Sequence, residues 1–459
     1  MNKINILDHN LFEWVNLLSS GEVTSLQLVR SCLERIDKYD NKIKSFTNIF
    51  AEEALKEAVK SDERRSKGKH LSILDGIPYA SKENIEIKNK VAAAGMLFRK
   101  DKLSNKNSKV TTLLDKAGTI NLGHLNMHEA ALGSTNDNPL HGRTYNPHKF
   151  SYTPGGSSGG SGAAVASGFC LFSLGTDTLG SVRIPAAYCG VSGIKPTKGL
   201  VSLGGVIPLC SEFDTVGPLA RSVRDLSIIL DILISFDAMC PESLDININK
   251  ELEIDKKSFI IGCFEDFGDL KLDSEIIEKY INSINKLSQL GYGIKFLPSN
   301  KIDFAKARRS GFKIVEAEAY FHYQKVFENK PEKLSKSLRG FLDYGRKLSA
   351  YDLMKSRDFI NKLKTQFNEY FLISDLVFLP TTPQNPFEFG EIDDTQADLT
   401  CISNLVESPS VSFPVGFSMD KLPIGMQFIG KKYEDFKILK IAEEFEKKFQ
   451  IDMRASHLV

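Results

Sequence analysis

Two serines, Ser157 and Ser181, sit in glycine-dense turns of the stretch TPGGSSGGSGAAVASGFCLFSLGTDTLGSVRIPAAYCGVSGIKPT, which runs from Thr153 to Thr197. A serine hydroxyl becomes a nucleophile when a base takes its proton and N–H donors receive the charge that develops on the attacked carbonyl oxygen. Glycine and serine runs are also how flexible linkers are made. Here, however, the small apolar residues Ala163, Ala164, Val165 and Ala166 follow at once, and an apolar run from Phe169 to Leu174 comes next. The glycines therefore lie between core elements, where bare N–H groups in tight turns form an anion-binding nest. A phosphate loop needs Gly-x4-Gly-Lys-Ser/Thr, and no lysine follows either turn. The oxyanion of a tetrahedral intermediate suits these turns better, with N–H donors between Thr178 and Ser181 beside the Ser181 hydroxyl.

The base is a histidine or a lysine. Gly155-Gly156-Ser157-Ser158-Gly159 fits the Gly-x-Ser-x-Gly elbow, which needs an aspartate and then a histidine further along the chain. Only His322 and His457 follow both serines; His457 is almost at the end of the sequence, and His322 falls in an expected helix from Val315 to Phe327. Lys82, in Gly76-Ile77-Pro78-Tyr79-Ala80-Ser81-Lys82-Glu83-Asn84-Ile85, is the other candidate, because its apolar neighbours Ile77, Pro78, Tyr79 and Ile85 suit a desolvated site. A lysine with the ordinary pKa of about 10.4 is charged at neutral pH, so burial has to favour its neutral form before it can act as a base.

Taken in order, the segment around Lys82, the PGGSSGGS run and the segment from Thr176 to Thr197 resemble the amidase-signature family. The resemblance covers most of the chain, including Ser20-Gly21-Glu22, Asp214 to Arg221 and Leu422 to Gln427, while Glu242 to Ser374 carries no signature. It implies an α/β fold with a large mixed central sheet covered by helices on both faces. It also implies one domain over 1–459, with an N-terminal helical region (1–70), a signature core (71–235), a variable mainly helical insertion (242–374) and C-terminal strands and a helix (375–459). In the catalytic set it implies, Ser181 is the acylated nucleophile, Ser157 relays the proton through a residue joined to Gly156 by a cis peptide bond, and Lys82 is the final base. The N–H groups of Thr178, Leu179, Gly180 and Ser181 are the implied oxyanion hole, with Gly156, Ser158, Asp177 and Arg183 in support. Met127, Arg357 and Asp398 are expected at the substrate, the last two as counterparts of the arginine and aspartate that grip the amino acid in glutamine-using relatives. No cofactor is implied.

The chain departs from the family at Leu179, where a glycine is usual, so an isobutyl group stands beside the nucleophile loop and could narrow the acyl pocket. Two kinds of relative share the catalytic set. One is a free-standing amide hydrolase acting on a small-molecule amide, for which the resemblance implies a homodimer. The other is the glutamine-hydrolysing component of a tRNA-dependent amidotransferase, which feeds ammonia from glutamine to a tRNA-binding B subunit beside a small C subunit. Ile184, the run Val216 to Ser222 and the run Gly123 to Glu129 are nearer to the hydrolases.

His124 and His128, with Glu129 and His141 or His148, have the residue types of a metal site, but the order is not His-Glu-x-x-His and the serine chemistry needs no metal; none is expected. The 59 basic and 58 acidic side chains nearly cancel, which gives no electrostatic case for direct nucleic-acid binding. Seven scattered cysteines without a Cys-x-x-Cys read as reduced thiols of a cytoplasmic protein. MNKINILDHN lacks the apolar segment of a secretory signal, and no run of about 18 apolar residues offers a membrane span.

The elements that must position these groups alternate. The capping box Thr24-x-x-Gln27 opens a helix to Ile36. Further helices are expected at Phe46–Ser66, Val110–Ala117, Gly162–Ser167, Val223–Phe236, Ser274–Leu290, Ile302–Phe327, Ala350–Tyr370 and Tyr433–Phe449. Short apolar runs bounded by Gly or Pro predict strands at Thr119–Gly123, Phe169–Gly175, Phe259–Cys263, Gly293–Leu297, Leu376–Pro380, Ser410–Pro414 and Gly425–Gly430.

Overall fold

The capping box at Thr24 is formed: the Gln27 N–H donates to Thr24 Oγ1 at 3.2 Å and the Thr24 N–H to Gln27 Oε1 at 2.8 Å. The computed structural model describes residues 4–250, 253–299, 302–391, 394–455 and 458; His457 lies outside them. In chain order the helices are α1 (Leu11–Ser20), α2 (Ser25–Ile43), α3 (Ala51–Ser66), α4 (Lys109–Lys116), α5 (Gly159–Ala166), α6 (Arg183–Cys189), α7 (Val223–Leu233), α8 (Ser274–Gln289), α9 (Phe304–Asn329), α10 (Lys336–Lys347), α11 (Ala350–Ile373), α12 (Cys401–Leu405) and α13 (Asp435–Lys448). The strands are β1 (Phe46–Ile49), β2 (Pro78–Lys82), β3 (Ile120–Leu125), β4 (Asp137–Asn138), β5 (Gly142–Arg143), β6 (Phe172–Asp177), β7 (Ser192–Lys195), β8 (Thr215–Ala220), β9 (Ile260–Phe264), β10 (Gly293–Leu297), β11 (Leu376–Pro380), β12 (Ser410–Phe417) and β13 (Pro423–Gly430).

Eleven of these strands form one mixed sheet in the order β1, β3, β2, β6, β8, β7, β12, β13, β11, β9, β10. Every residue of β2, β6, β8 and β11 is buried, the pattern of strands covered on both faces. β2 runs parallel to β3 and β6, with Tyr79 opposite Phe172 and Ser81 opposite Leu174, so Lys82 and Thr176 come together at neighbouring C-terminal strand ends. In open α/β sheets that is where ligand-binding groups gather.

The helix expected from Phe46 divides in two. Phe46–Ile49 instead pairs antiparallel with β3 as an edge strand, and the helix begins only at Ala51, so ladder hydrogen bonding outweighs helical periodicity there. The stretch expected to be mainly helical supplies α8 to α11 but also β9 and β10, which are parallel to each other and extend the same sheet through β11. The charged run from Glu328 to Lys336 ends α9, makes a short 3-10 turn at Pro331–Lys333 and starts α10. All seven cysteines are buried and unpaired. Among the described residues no helix is long and apolar enough to cross a membrane.

Two glycines separate close packing from mere flexibility. A Cβ at Gly217, on β8, would lie 2.0 Å from the Ile194 carbonyl oxygen of β7, whereas one at Gly340, on α10, would meet nothing within 4 Å. Gly217→Ala should cost roughly 1–3 kcal/mol through overpacking, while Gly340→Ala should be neutral or gain up to about 1 kcal/mol from helix propensity. Urea unfolding of both variants against the wild type tests this; equal midpoints would refute the packing account.

Candidate active site

The glycines around Ser157 are dictated by close backbone approach. A Cβ at Gly160 would fall 2.4 Å from the Asn126 carbonyl oxygen, and one at Gly156 would fall 2.8 Å from the Ser134 carbonyl carbon. These contacts seat the turn between Pro154 and α5 deep in the protein, and α5 is buried along its whole length. The Gly156–Ser157 peptide bond is cis.

Ser157 is fully buried, and its Oγ accepts a hydrogen bond from Lys82 Nζ at 2.7 Å. Lys82 Nζ also donates to Thr176 Oγ1 at 2.8 Å and to the Thr176 carbonyl at 3.4 Å. Asn84 Nδ2 holds the same Thr176 hydroxyl from the other side at 3.1 Å. Lys82 thus has three oxygen acceptors and no carboxylate within salt-bridge range among the described residues. Burial pulls its pKa down to about 7, against the opposing pull of the Asp214 and Asp177 charges. Ser158 places the next link: its N–H donates to the Ser181 carbonyl at 3.2 Å, and its hydroxyl donates to the Thr176 carbonyl at 3.1 Å. Ser181 itself is only half-buried and borders a cavity of about 50 Å³ together with Gly156, Thr178 and Leu179.

The loop carrying Ser181 is tied down by Asp177 and Arg183, both fully buried. Asp177 accepts from Arg183 Nε and Nη2 at 3.1 and 3.0 Å, from the Gly180 N–H at 2.8 Å and from the Val182 N–H at 3.1 Å. Burial pushes the Asp177 carboxyl up, but the Arg183 charge and these donors outweigh it and hold the pKa at about 2. The Gly180 N–H is committed to Asp177, and Gly180 does not border the cavity, whereas Thr178, Leu179 and Ser181 do. Gly180 has a left-handed φ of 133°, and a Cβ there would sit 2.1 Å from Thr400 Oγ1. Leu179 is not among the non-glycine residues with positive φ, so leucine is accommodated without backbone strain.

The residues expected at the substrate do not converge. Met127 is buried and lies off the cavity, its carbonyl accepting from Asn138 Nδ2 at 2.7 Å. Arg357 is exposed and pairs with Glu212 at 2.8 Å in a separate surface cleft. Asp398 is buried and pairs with Arg308, not Arg357, at 2.5 Å. Arg308 lies on α9, outside every motif, which is why sequence reasoning passed over it. The histidines also have separate partners: His124 Nε2 lies 3.2 Å from the Ile85 carbonyl, His141 is 2.9 Å from Glu83, and His148 Nε2 is 3.0 Å from the Cys189 carbonyl. His322 pairs with Glu318 at 3.4 Å on α9 and does not border the Ser181 cavity.

Sequence reading missed the supports Thr176, Asp214, Thr400, Ser403, Asn404 and Gln427. Asp214 accepts from Thr178 Oγ1 at 2.5 Å and from the Leu209 and Cys210 N–H groups at 2.9 and 3.1 Å. Its place in the Asp214–Arg221 motif was the available signal. Asn404 and Gln427 join Arg183 at 2.7 and 3.1 Å across more than 200 residues, a separation no local pattern could reveal.

The model of the family described as Amidase matches residues 27–439. The A subunit of the glutamyl-tRNA(Gln) amidotransferase of Prochlorococcus marinus strain MIT 9211 is 33% identical over 477 residues, covering 95% of this chain and 96% of that protein. Its counterpart in Endomicrobium trichonymphae is 30% identical over 461 residues, 94% of each. Two solved structures share the fold closely. A chain of a vestigial complex that bears on the origins of an s-triazine catabolic enzyme superposes with a TM-score of 0.90 at 27% identity, covering 96% of this chain and 99% of that one. The A subunit of the glutamyl-tRNA(Gln) amidotransferase of Thermotoga maritima superposes with a TM-score of 0.83 at 27% identity, covering 98% and 97%.

Replacing Asp177 by Asn keeps the shape but leaves the Arg183 charge buried without its counter-ion. Breaking such a pair from one side costs about 3–5 kcal/mol. Asp177→Asn should therefore lower the urea midpoint sharply or fail to accumulate as folded protein; a loss below about 1 kcal/mol would contradict the role given to this pair.

Proposed function

Because this chain belongs to the amidase family, we propose that it hydrolyses a small carboxylic amide to the acid and ammonia or an amine through an acyl-enzyme on Ser181. The observation that carries this reading is the 2.7 Å contact between the buried Lys82 Nζ and Ser157 Oγ, in a setting that favours neutral lysine. Neutral Lys82 takes the Ser157 proton, Ser157 takes the proton of Ser181, and Ser181 Oγ adds to the carbonyl carbon. The resulting oxyanion is received by the N–H groups of Thr178, Leu179 and Ser181. The proton returns along the same path to the nitrogen, the C–N bond breaks and the amine leaves. Water, deprotonated by the same relay, then cleaves the ester and restores Ser181.

A second reading has the curated relatives behind it. As the glutamine-hydrolysing component of an amidotransferase, the chain would release ammonia from glutamine and pass it to partner subunits, with the same catalytic set. Ammonia release by the isolated chain from glutamine, asparagine, aliphatic and aryl amides, biuret and allophanate separates the two. Turnover of a non-amino-acid amide, lost in Ser181→Ala, supports the hydrolase; glutamine hydrolysis that requires added partner subunits supports the amidotransferase.

The lysine makes a pH prediction with a definite sign. The active form is neutral, so kcat/KM should be low under acid conditions, rise through about pH 7 and level off above it. Lys82→Ala should lose about 10²–10⁴-fold in kcat, and Lys82→Arg, charged throughout, should not recover activity at high pH. A flat profile from pH 5 to 9 would eliminate Lys82 as the base.

A further inference from the structure

We infer that the acyl site accepts a short, uncharged, apolar acyl group, and that Leu179, held in place by Gly311 of α9, sets its length. This rests on the amide-hydrolysis reading above and deepens it. The described residues bordering the cavity beside Ser181 include Leu132, Leu179, Ile184, Leu209, Phe312 and Val315. Its volume of about 50 Å³ leaves room for roughly three to five water-sized atoms.

Leu179 cannot swing aside easily. Its carbonyl accepts from Thr400 Oγ1 at 2.8 Å, and its side chain is only 6% exposed. A Cβ placed on Gly311 would stand 3.2 Å from Leu179 Cδ2 and 3.0 Å from Leu405 Cδ2. The two observations fit together: α9 carries glycine where a Cβ would press on the leucine, displacing it by a few tenths of an ångström.

Charge is the second filter. Asp394 is the one charged side chain among the described residues bordering this cavity. Its carboxylate lies 3.6 Å from Arg308 Nη2, and Arg308 Nε is bonded to Asp398 at 2.5 Å. Arg308 is thus already paired with the buried Asp398 as well as Asp394, and no arginine or lysine is among the described residues bordering the cavity. A zwitterionic or anionic acyl group would be desolvated there without a partner, which is unfavourable.

The test compares kcat/KM for acetamide, propionamide, butyramide, hexanamide, glutaramate and glutamine in the wild type, Leu179→Ala and Gly311→Ala. For the wild type a fall of at least about tenfold from butyramide to hexanamide is expected, with glutaramate and glutamine below propionamide. Leu179→Ala should raise the hexanamide-to-propionamide ratio at least about tenfold. Gly311→Ala, which presses on Leu179 instead of removing it, should lower the butyramide-to-acetamide ratio, so the two variants move specificity in opposite directions. Length profiles unchanged in both variants, or charged amides preferred by the wild type, would overturn the inference while leaving hydrolysis intact. A wild-type chain that turns over no amide and whose Ser181 is not modified by phenylmethylsulfonyl fluoride would overturn the hydrolysis reading, and this inference with it.

Discussion

The Asp177–Arg183 pair is the constraint on which the rest of the site depends. It joins the end of β6 to the first residue of α6, and the intervening loop carries Ser181. Arg183 then reaches outward: Nη1 donates to the Thr400 carbonyl and Ser403 Oγ at 2.8 and 2.6 Å, and Nη2 donates to Asn404 Oδ1 at 2.7 Å. Asn404 closes the circuit by donating back to Asp177 Oδ1 at 2.8 Å. A buried ion pair offsets its desolvation only when its remaining donors and acceptors are also satisfied. Here those partners come from Thr400, α12 and β13, so the shape of the Ser181 loop depends on contacts from the C-terminal third of the chain.

The state of Lys82 is a balance of opposed effects. Burial disfavours the ammonium form, while the Asp214 and Asp177 charges favour it, and the outcome is a pKa of about 7. A lysine with a nearer carboxylate would stay charged, and one without the two distant ones would be a weaker base. The acceptors that do touch Lys82, the hydroxyls of Ser157 and Thr176 and the Thr176 carbonyl, are all neutral. Geometry is thus fixed by Ser157 and Thr176, which touch the lysine, and basicity by burial and the more distant Asp214 and Asp177.

The motifs made the chemistry legible and left its supports and its substrate unread. Ser157, Ser181 and Lys82 stood out because glycine density and apolar neighbours are local properties, and the strand candidates from Phe259 to Gly430 were visible as apolar runs between turn residues. Phe46–Ile49 was misread because a four-residue edge strand owes its conformation to β3 and not to its own pattern. Arg357 and Asp398 were expected at the substrate as counterparts of residues in glutamine-using relatives; in the folded chain Arg357 pairs with Glu212 and Asp398 with Arg308, whose position on α9 depends on how that helix packs. The commitment of the Gly180 N–H to Asp177 was equally beyond sequence reading, since it is decided by which way one carboxylate faces.

The signature core and α9 meet at one loop. Tyr323 of α9 donates to the Pro208 carbonyl at 2.8 Å, and Glu318 of α9 accepts from the Ser211 N–H at 2.7 Å and from Cys210 Sγ at 3.0 Å. From its other side the same loop gives the Leu209 and Cys210 N–H groups to Asp214, which also holds Thr178. Leu209 thus lines the cavity on a segment gripped by two carboxylates, one from the signature core and one from α9. Phe312 and Val315 of α9 border the same cavity and take no part in the Lys82–Ser157 contact. A displacement of the helix as a whole, however, would be transmitted through Glu318 and Asp214 to Thr178 and the Ser181 loop. The stretch carries no motif, yet Gly311, Glu318 and Tyr323 fix how its helix sits against Leu179 and the Pro208–Ser211 loop.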